Sequence, residues 1–291
     1  MLQVDLMPVP AFTRQWEWQT PIVAVLVAIE LAYVVMWDGR VLHSRVVHLS
    51  WARLVTFTVG LIALVVADLS PIGANDDQFL SMHMLGHDIF IWIAAPLLVL
   101  GMLPLVERSG ELPRSVRAPI VFLTHPVVAW VISTALLWVW HYPANYDRAL
   151  SNNPVHGLEH ACFLVGYIIY WWPLIAPPSI IGGLHTNATR AGYIIAGAMQ
   201  SALLGALIMF HGSVIFPHYL NLMGLTGSTA LADQHLAGAL MLFPGAVVFT
   251  LAAALLIQTE PPSLLSIAHD RAATSERRVD STETDGRTAQ T

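Results

Sequence analysis

Two pairs of histidines in this sequence have the spacing that places two imidazoles on one face of a helix. His83 and His87 lie in the stretch SMHMLGHD, and His156 and His160 lie in the stretch HGLEH. Residues four positions apart are neighbours on a helical surface, so each pair can offer two nitrogen ligands to one metal ion. We therefore expect the two pairs to close around one metal or to hold two.

Other ionisable residues stand near the ends of apolar stretches and extend the candidate site. The further candidate metal ligands are His141, His211, His235, Asp88, Glu159 and Asp233. A carboxylate near a ligand histidine can bind the metal itself, or it can accept the second imidazole proton and fix the tautomer. One histidine at a helix end is ordinarily an interfacial or capping residue, so the hypothesis depends on the two spaced pairs together.

The sulfur-containing residues favour copper as the metal. Met82, Met84, Met209 and Met223 lie near the histidines in the predicted arrangement, and thioethers prefer soft ions such as Cu(I). The chain has one cysteine, Cys162, which excludes an internal disulfide and a CxxC thiolate site. Zinc and iron are alternatives, because histidines and carboxylates also bind them.

The composition is that of an integral membrane protein. Of the 291 residues, 56% are hydrophobic and 11% are charged, and the mean hydropathy is +0.62, whereas soluble domains carry about 25% charged residues. Too few polar residues remain to cover a water-soluble globule of this size. The chain contains no lysine and no basic stripe, so we expect no nucleic-acid partner.

Seven stretches are long and apolar enough to cross a bilayer as helices, because about 20 apolar residues span the hydrocarbon core. They cover residues 20–37, 51–68, 80–102, 119–140, 157–176, 190–211 and 234–257. The sequence thus predicts an all-α bundle of seven transmembrane helices over residues 20–258. We expect residues 1–19 to form an N-terminal segment without a cleavable signal peptide, and the polar residues 259–291 to form a disordered tail.

The placement of the arginines predicts the orientation of this bundle. One side of the membrane receives alternate loops and the C-terminal tail, which together hold eleven of the thirteen arginines. The other side holds only Arg14 and Arg148. Positively charged loops stay in the cytoplasm, so we expect the N-terminus outside and the C-terminus in the cytoplasm. Both histidine pairs then lie at the outer face.

Four ordered stretches resemble the motifs of one protein family. They are HMLGHDIFIWIAAPLLVLGMLPL, WVWHYPANYDRAL, HGLEHACFLVGYIIYWWPLI and DQHLAGALMLFPG. Together they make residues 20–257 similar to the CtaG family of cytochrome c oxidase assembly factors. In the family, the position after this Asp-Gln is variable. The resemblance therefore implies no role for His235.

The resemblance implies a location, a partner and a cargo. Members are multi-pass proteins of the bacterial plasma membrane that act as chaperones in maturing a haem–copper oxidase. They are thought to help supply copper to its catalytic subunit, and extracytoplasmic copper donors would be further partners. Some relatives carry a fused copper-resistance membrane domain that this sequence lacks, so copper import by that route is not implied.

Other function classes are compatible with the same residues. A membrane metalloenzyme with a diiron or zinc centre would use histidines and carboxylates, although HGLEH places its glutamate differently from the HExxH motif. A haem protein would use His87 and His160 as axial ligands, and a visible absorption spectrum would identify it. A proton-relay transporter is a further alternative. The expectation that follows from the resemblance is a copper-binding assembly factor that is not an enzyme.

Overall fold

The computed structural model describes residues 12–37, 50–106, 113–176, 184, 186–223 and 227–257. The regular structure of these residues is helical. The α-helices are α1 Thr20–Trp37, α2 Trp51–Leu69, α3 Leu80–Ile89, α4 Ala95–Val106, α5 Arg114–Leu123, α6 Pro126–Trp140, α7 Pro143–Leu150, α8 Asn153–Ile175, α9 Asn187–Met209, α10 Pro217–Met223 and α11 Gly227–Ile257. The expected tail, residues 259–291, lies outside the described residues.

Several of these helices are long and apolar enough to cross a membrane. Among the described residues, the candidate spans are Trp51–Asn75, Leu80–Leu103, Asn153–Ile175 and Asn187–Met209, with α5 and α6 as a fifth if their bent pair counts as one span. The chain is therefore a multi-pass helical membrane protein with four or five candidate spans. Helices α1 and α11 occupy the first and seventh predicted segments, and the seven crossings and their orientation stay predictions.

The fourth predicted segment is interrupted by a bend. Helices α5 and α6 meet at 65°. The cause is Pro126, whose ring disfavours a helical backbone at the preceding residue. His125 is accordingly extended, with φ −63° and ψ 130°.

A π-helical turn, Phe90–Ala94, joins α3 to α4. Its wide hydrogen bond runs from the backbone N–H of Ala95 to the carbonyl of Phe90. The next carbonyl, that of Ile91, would need the N–H of Pro96, which proline lacks. The indole N–H of Trp171 on α8 donates to that carbonyl instead, at 2.7 Å. This bond satisfies the freed carbonyl and holds α8 against the α3–α4 span.

Helices α9 and α11 pack with their backbones in direct contact, as the glycine- and alanine-rich α9 sequence suggests. A Cβ atom on Gly205 would lie 2.8 Å from the carbonyl oxygen of Gly238, and one on Gly238 would lie 2.5 Å from that of Gly205. Asp233 of α11 accepts hydrogen bonds from the backbone N–H and the hydroxyl of Ser81. This contact places a carboxylate at the first turn of α3, where it favours the helix dipole.

Two short helices that the sequence analysis did not predict, α7 and α10, cover the end of the bundle where α3 begins. Tyr146 of α7 is buried, and its hydroxyl lies 3.0 Å from that of Tyr219 on α10. The Tyr219 hydroxyl also donates to the backbone carbonyl of Asp76, at 3.0 Å. These contacts tie α7 and α10 to the loop between α2 and α3.

Candidate metal centre

The two histidine pairs converge, as their position at one face of the membrane predicts. Helix α3 presents His83 and His87, and α8 presents His156 and His160. Ring centroids lie 4.3 Å apart within each pair, 5.3 Å apart between His87 and His160, and 5.2 Å apart between His83 and His156. The imidazoles of two helices that are distant in sequence therefore form a single cluster.

Three of these imidazoles make up a group that could hold a metal ion. One ring nitrogen from each of His83, His87 and His160 lies within 4.8 Å of the others. A metal with bonds of about 2 Å holds its ligand atoms about 3–4 Å apart, so small side-chain rotations would close the three nitrogens around one ion.

The inner part of the cluster is buried and unsatisfied. His83 and His87 are each 2% exposed, and Glu159 is fully buried. Among the described residues, no ring nitrogen of the two histidines and no carboxylate oxygen of Glu159 has a hydrogen-bond partner. Leaving a buried polar group unpaired costs about 1–3 kcal/mol. With these nitrogens and this carboxylate unpaired, the cluster could hold a cation.

The carboxylate of Glu159 is placed to balance the charge of such a cation. Its Oε1 atom lies 3.8 Å from Nε2 of His83 and 3.9 Å from Nε2 of His87. An ion between the imidazoles would thus have a negative charge beside it in a region that water does not reach. From the sequence, Glu159 was predicted as a ligand or as an acceptor of the second imidazole proton.

Asp68 of α2 orients His160. Its Oδ1 atom lies 2.9 Å from Nδ1 of His160, so the Nδ1–H donates to the carboxylate and Nε2 keeps its lone pair for a metal. Carboxylates in this role fix the tautomer and the ring orientation of metal ligands. Asp68 was not predicted from the sequence, although an aspartate within an apolar helix is a signal that could have revealed it.

A second group of potential ligands overlaps the first. One ligand atom from each of Asp76, His83 and His156 lies within 4.8 Å of the others, and Oδ2 of Asp76 is 3.7 Å from Nε2 of His156. Asp76 follows a 3₁₀ turn, Gly73–Asn75, in the loop before α3. Burial raises the pKa of its carboxyl group to about 7, against the opposing effect of His160. Asp76 was also missed, because a loop residue has no helical spacing to reveal its position.

His141 and Met84 place two potential ligands for a soft metal ion beside the cluster. Its ring lies 5.9 Å from that of His87, and burial lowers its pKa. The Nδ1–H of the neutral ring donates to the carbonyl of Leu137 at 2.7 Å, and Nε2 lies 3.3 Å from Sδ of Met84. A lone pair on nitrogen and a thioether, both buried, are ligands that soft metal ions prefer.

The remaining predicted ligands lie in neither group. Asp88 lines an apolar cavity of about 410 Å³ between α3 and α11, and Asp233 is hydrogen-bonded to Ser81. His211 is exposed, and its Nδ1–H donates to a backbone carbonyl two residues on. Nε2 of His235 lies 3.4 Å from the backbone carbonyl of His211.

Comparison with known proteins finds a family whose model matches most of this chain. The family model described as cytochrome c oxidase caa3 assembly factor (Caa3_CtaG) matches residues 31–259. Uncharacterized proteins from Mycobacterium bovis and Mycobacterium tuberculosis are each 28% identical to this chain over 211 residues, which is 65% of this chain and 31% of the relative. The chain thus spans about a third of the length of these curated relatives. No solved structure matches it.

Proposed function

The chain belongs to the Caa3_CtaG family of cytochrome c oxidase caa3 assembly factors, and on that premise we propose that it binds copper at the histidine cluster and assists delivery of the ion to the oxidase catalytic subunit. Copper is a cargo in this role, and the chain needs no catalytic residue. An assembly-factor family is consistent with a protein that is not an enzyme.

The observation that carries this proposal is the set of unpaired ring nitrogens on His83 and His87. A structural histidine inside a helix bundle finds hydrogen-bond partners, because an unpaired buried group is destabilising. These nitrogens instead face His160 and the unpaired carboxylate of Glu159. A bound cation would satisfy one nitrogen of each imidazole together with the carboxylate, which supports a binding site over a packing role.

Copper is favoured over zinc by the neighbouring sulfur. Met84 is fully buried and its Sδ atom lies against Nε2 of His141. The ring of His141 is in turn a neighbour of the ring of His87. Thioethers bind Cu(I) well and hard ions poorly. A cluster of buried imidazoles with a thioether close by suits a monovalent soft ion that must be held and then released.

A haem between His87 and His160 is disfavoured by the packing. The ring centroid of His83 lies 4.3 Å from that of His87, and the ring centroid of Phe163 lies 4.5 Å from that of His87. A bis-histidine haem needs a flat macrocycle between its two axial ligands, and these rings stand where it would lie. The cluster has the dimensions of a site for a bare ion.

The same proposal includes the setting of the site. Seven membrane crossings with the N-terminus outside, in a bacterial plasma membrane, would place the cluster at the outer face, as the arginine distribution supports. Copper donors outside the cytoplasm and the catalytic subunit within the membrane would then both have access to it.

Metal content tests the binding step directly. We expect anaerobically purified protein, incubated with Cu(I) and desalted, to retain one copper per chain. The double variant His83→Ala, His87→Ala should retain little, and the variant His125→Ala, which changes an exposed histidine, should behave as the unchanged protein. Equal retention in all three, or retention of zinc in place of copper, would contradict the proposal.

Oxidase activity in cells tests the delivery step. Deleting this protein should lower the activity of a haem–copper oxidase while its polypeptides are still made. Replacing any of His83, His87, His156 or His160 by alanine should reproduce the loss, and added copper should partly restore the weaker variants by mass action. If the four variants support normal oxidase activity and the deletion does not, the protein acts without its histidine cluster.

A further inference from the structure

A polar pocket of about 310 Å³ opens beside the histidine cluster. It lies between the N-terminal segment, the loop after α2 and the first turn of α8. Acidic side chains line its wall: Glu17, Asp68, Asp76 and Asp77. Among the described residues that line it, none is an arginine, so the pocket attracts cations, and such clefts raise the local concentration of an oppositely charged ion.

We propose that this pocket is the access route for the copper ion, and that Asp76, His83 and His156 form an outer site that holds the ion briefly before it moves inward. The inner site is the group of His83, His87 and His160. This inference rests on the proposed function, because it describes how the ion reaches the cluster.

The exposure of the ligands supports this order. The side chains of His156 and Asp76 are 22% and 16% exposed, and that of His83 is fully buried. His156 and Asp76 line the pocket, as does His160, whose side chain is 17% exposed, whereas His83 and His87 do not. The outer group thus has two of its three ligands at the pocket and the inner group has one, so the inner group lies deeper along a path that begins at the pocket.

His83 joins the two sites because it belongs to both groups. An ion in the outer site can keep its bond to His83 while His87 and His160 replace Asp76 and His156. Each new bond forms before the old one breaks, so the ion never stands without ligands in the buried region. The oxidation state of the ion does not change in this exchange, and each imidazole binds the ion in its neutral form, so a proton carried by His160 leaves to solvent through the pocket.

Hydration explains why a buried site needs an outer one. An ion loses its water shell on entering a region without water, and an unpaired charge there is strongly disfavoured. The carboxylate of Asp76 compensates for part of this loss at the edge of the pocket, where solvent is still present. The rate of uptake, and not the final affinity, should therefore depend on Asp76.

The wall of the pocket is built by local contacts that keep Asp76 in place. Asn75 is fully buried, donates to the carbonyl of Thr13 at 3.0 Å and accepts from its backbone N–H at 2.9 Å. The backbone N–H of Glu17 donates to the carbonyl of Leu69 at 2.9 Å. A Cβ atom on Gly73 would collide with the carbonyl group of Asp68, so the turn before Asp76 requires glycine.

Transfer kinetics test the inference on the full-length protein in nanodiscs. Cu(I) is presented anaerobically on a coloured chelator, and its loss to the protein is followed by stopped-flow absorbance, with the reverse transfer measured by adding excess chelator. In Asp76→Asn we expect uptake and release to slow by the same factor, at least about tenfold, with an unchanged equilibrium affinity and one copper per chain. His156→Gln should behave in the same way, and it provides a second variant if Asp76→Asn folds poorly.

Two control variants separate the outcomes. Asp147→Asn removes a carboxylate of α7 that does not line the pocket, and it should leave both rates unchanged. His87→Ala should weaken the equilibrium affinity while the first binding step stays fast. Unchanged rates in Asp76→Asn and His156→Gln, or a lower affinity at unchanged uptake rate, overturn the outer site and leave the proposed function standing. Absence of stoichiometric Cu(I) binding by the unchanged protein refutes the proposed function itself.

Discussion

Replacing Glu159 by glutamine should weaken copper binding and, at the same time, stabilise the metal-free protein. Glu159 is fully buried and its carboxylate has no hydrogen-bond partner among the described residues. In the metal-free state it is an uncompensated polar group beside two imidazoles. Glutamine keeps the shape of the side chain and removes the group that ionises, so the two states should respond with opposite signs.

The distances set the size of the effect on binding. Oε1 of Glu159 lies 3.8 Å and 3.9 Å from the Nε2 atoms of His83 and His87, so an ion held by these nitrogens would be about 4 Å or less from the carboxylate. Two unit charges at 4 Å attract by about 4 kcal/mol at an effective dielectric constant near 20. Allowing for side-chain relaxation, we expect a loss of about 2–4 kcal/mol, or roughly 30- to 1,000-fold in affinity.

The effect on the metal-free protein follows from the desolvation of the carboxyl group. Removing an unsatisfied ionisable group from a buried position stabilises a fold by about 1–3 kcal/mol. The free energy of unfolding of the metal-free Glu159→Gln variant should rise by an amount of this order, less the cost of burying the amide.

Chelator competition with Cu(I) and thermal unfolding with and without copper measure the two effects. Glu30→Gln is the matched control, because Glu30 on α1 is also a carboxylate within an apolar helix and is hydrogen-bonded to Thr58, away from the histidines. It should leave the copper affinity unchanged. An unchanged affinity in Glu159→Gln, or a metal-free protein that unfolds at lower temperature, would refute the reasoning that the cluster is built for a cation.

Three further predictions follow from the contacts around the cluster. Asp68→Asn, which loses the carboxylate that orients His160, should weaken Cu(I) binding about 10- to 100-fold in the same competition assay. Gly238→Ala, which places a methyl group against the carbonyl of Gly205, should destabilise the protein by about 1–3 kcal/mol in thermal unfolding without changing copper stoichiometry in the folded fraction. The rate of Cu(I) uptake should fall about tenfold from pH 8 to pH 6, because the ionised fraction of a carboxyl group with a pKa of about 7 falls by that factor. The uptake rate of Asp76→Asn should depend less steeply on pH.

The class of the protein and the identity of its central histidines could be predicted from the sequence. Low charge content and long apolar stretches require membrane-spanning helices, because lipid offers no partner to an unpaired backbone group. The four-residue spacing of each histidine pair is a local property of a helix, and so it needs no knowledge of the rest of the fold. The convergence of the pairs was a prediction that the positions of α3 and α8 confirm.

The prolines show where a helix is disturbed, and this position can be read from the sequence. Whether the result is a bend or a π-helical turn cannot. Pro126 and Pro96 each disturb a helix. The first produces a 65° bend between α5 and α6, and the second accompanies a π-helical turn. Which of these forms results depends on a partner from elsewhere. At Ile91 that partner is the indole of Trp171, 80 positions away in the chain.

The sequence by itself determined that this chain is an apolar helical protein with two paired-histidine faces, since composition and helical periodicity are properties of short stretches. Only the tertiary structure decided which carboxylates serve those faces. Asp68 meets His160 across 92 positions of the chain, and Asp76 comes from a loop without periodicity. Such pairings depend on how the helices pack, and the type of a residue does not show which residues it will meet in the folded protein. For the same reason His211 and His235, of the right type and near helix ends, lie in neither ligand group.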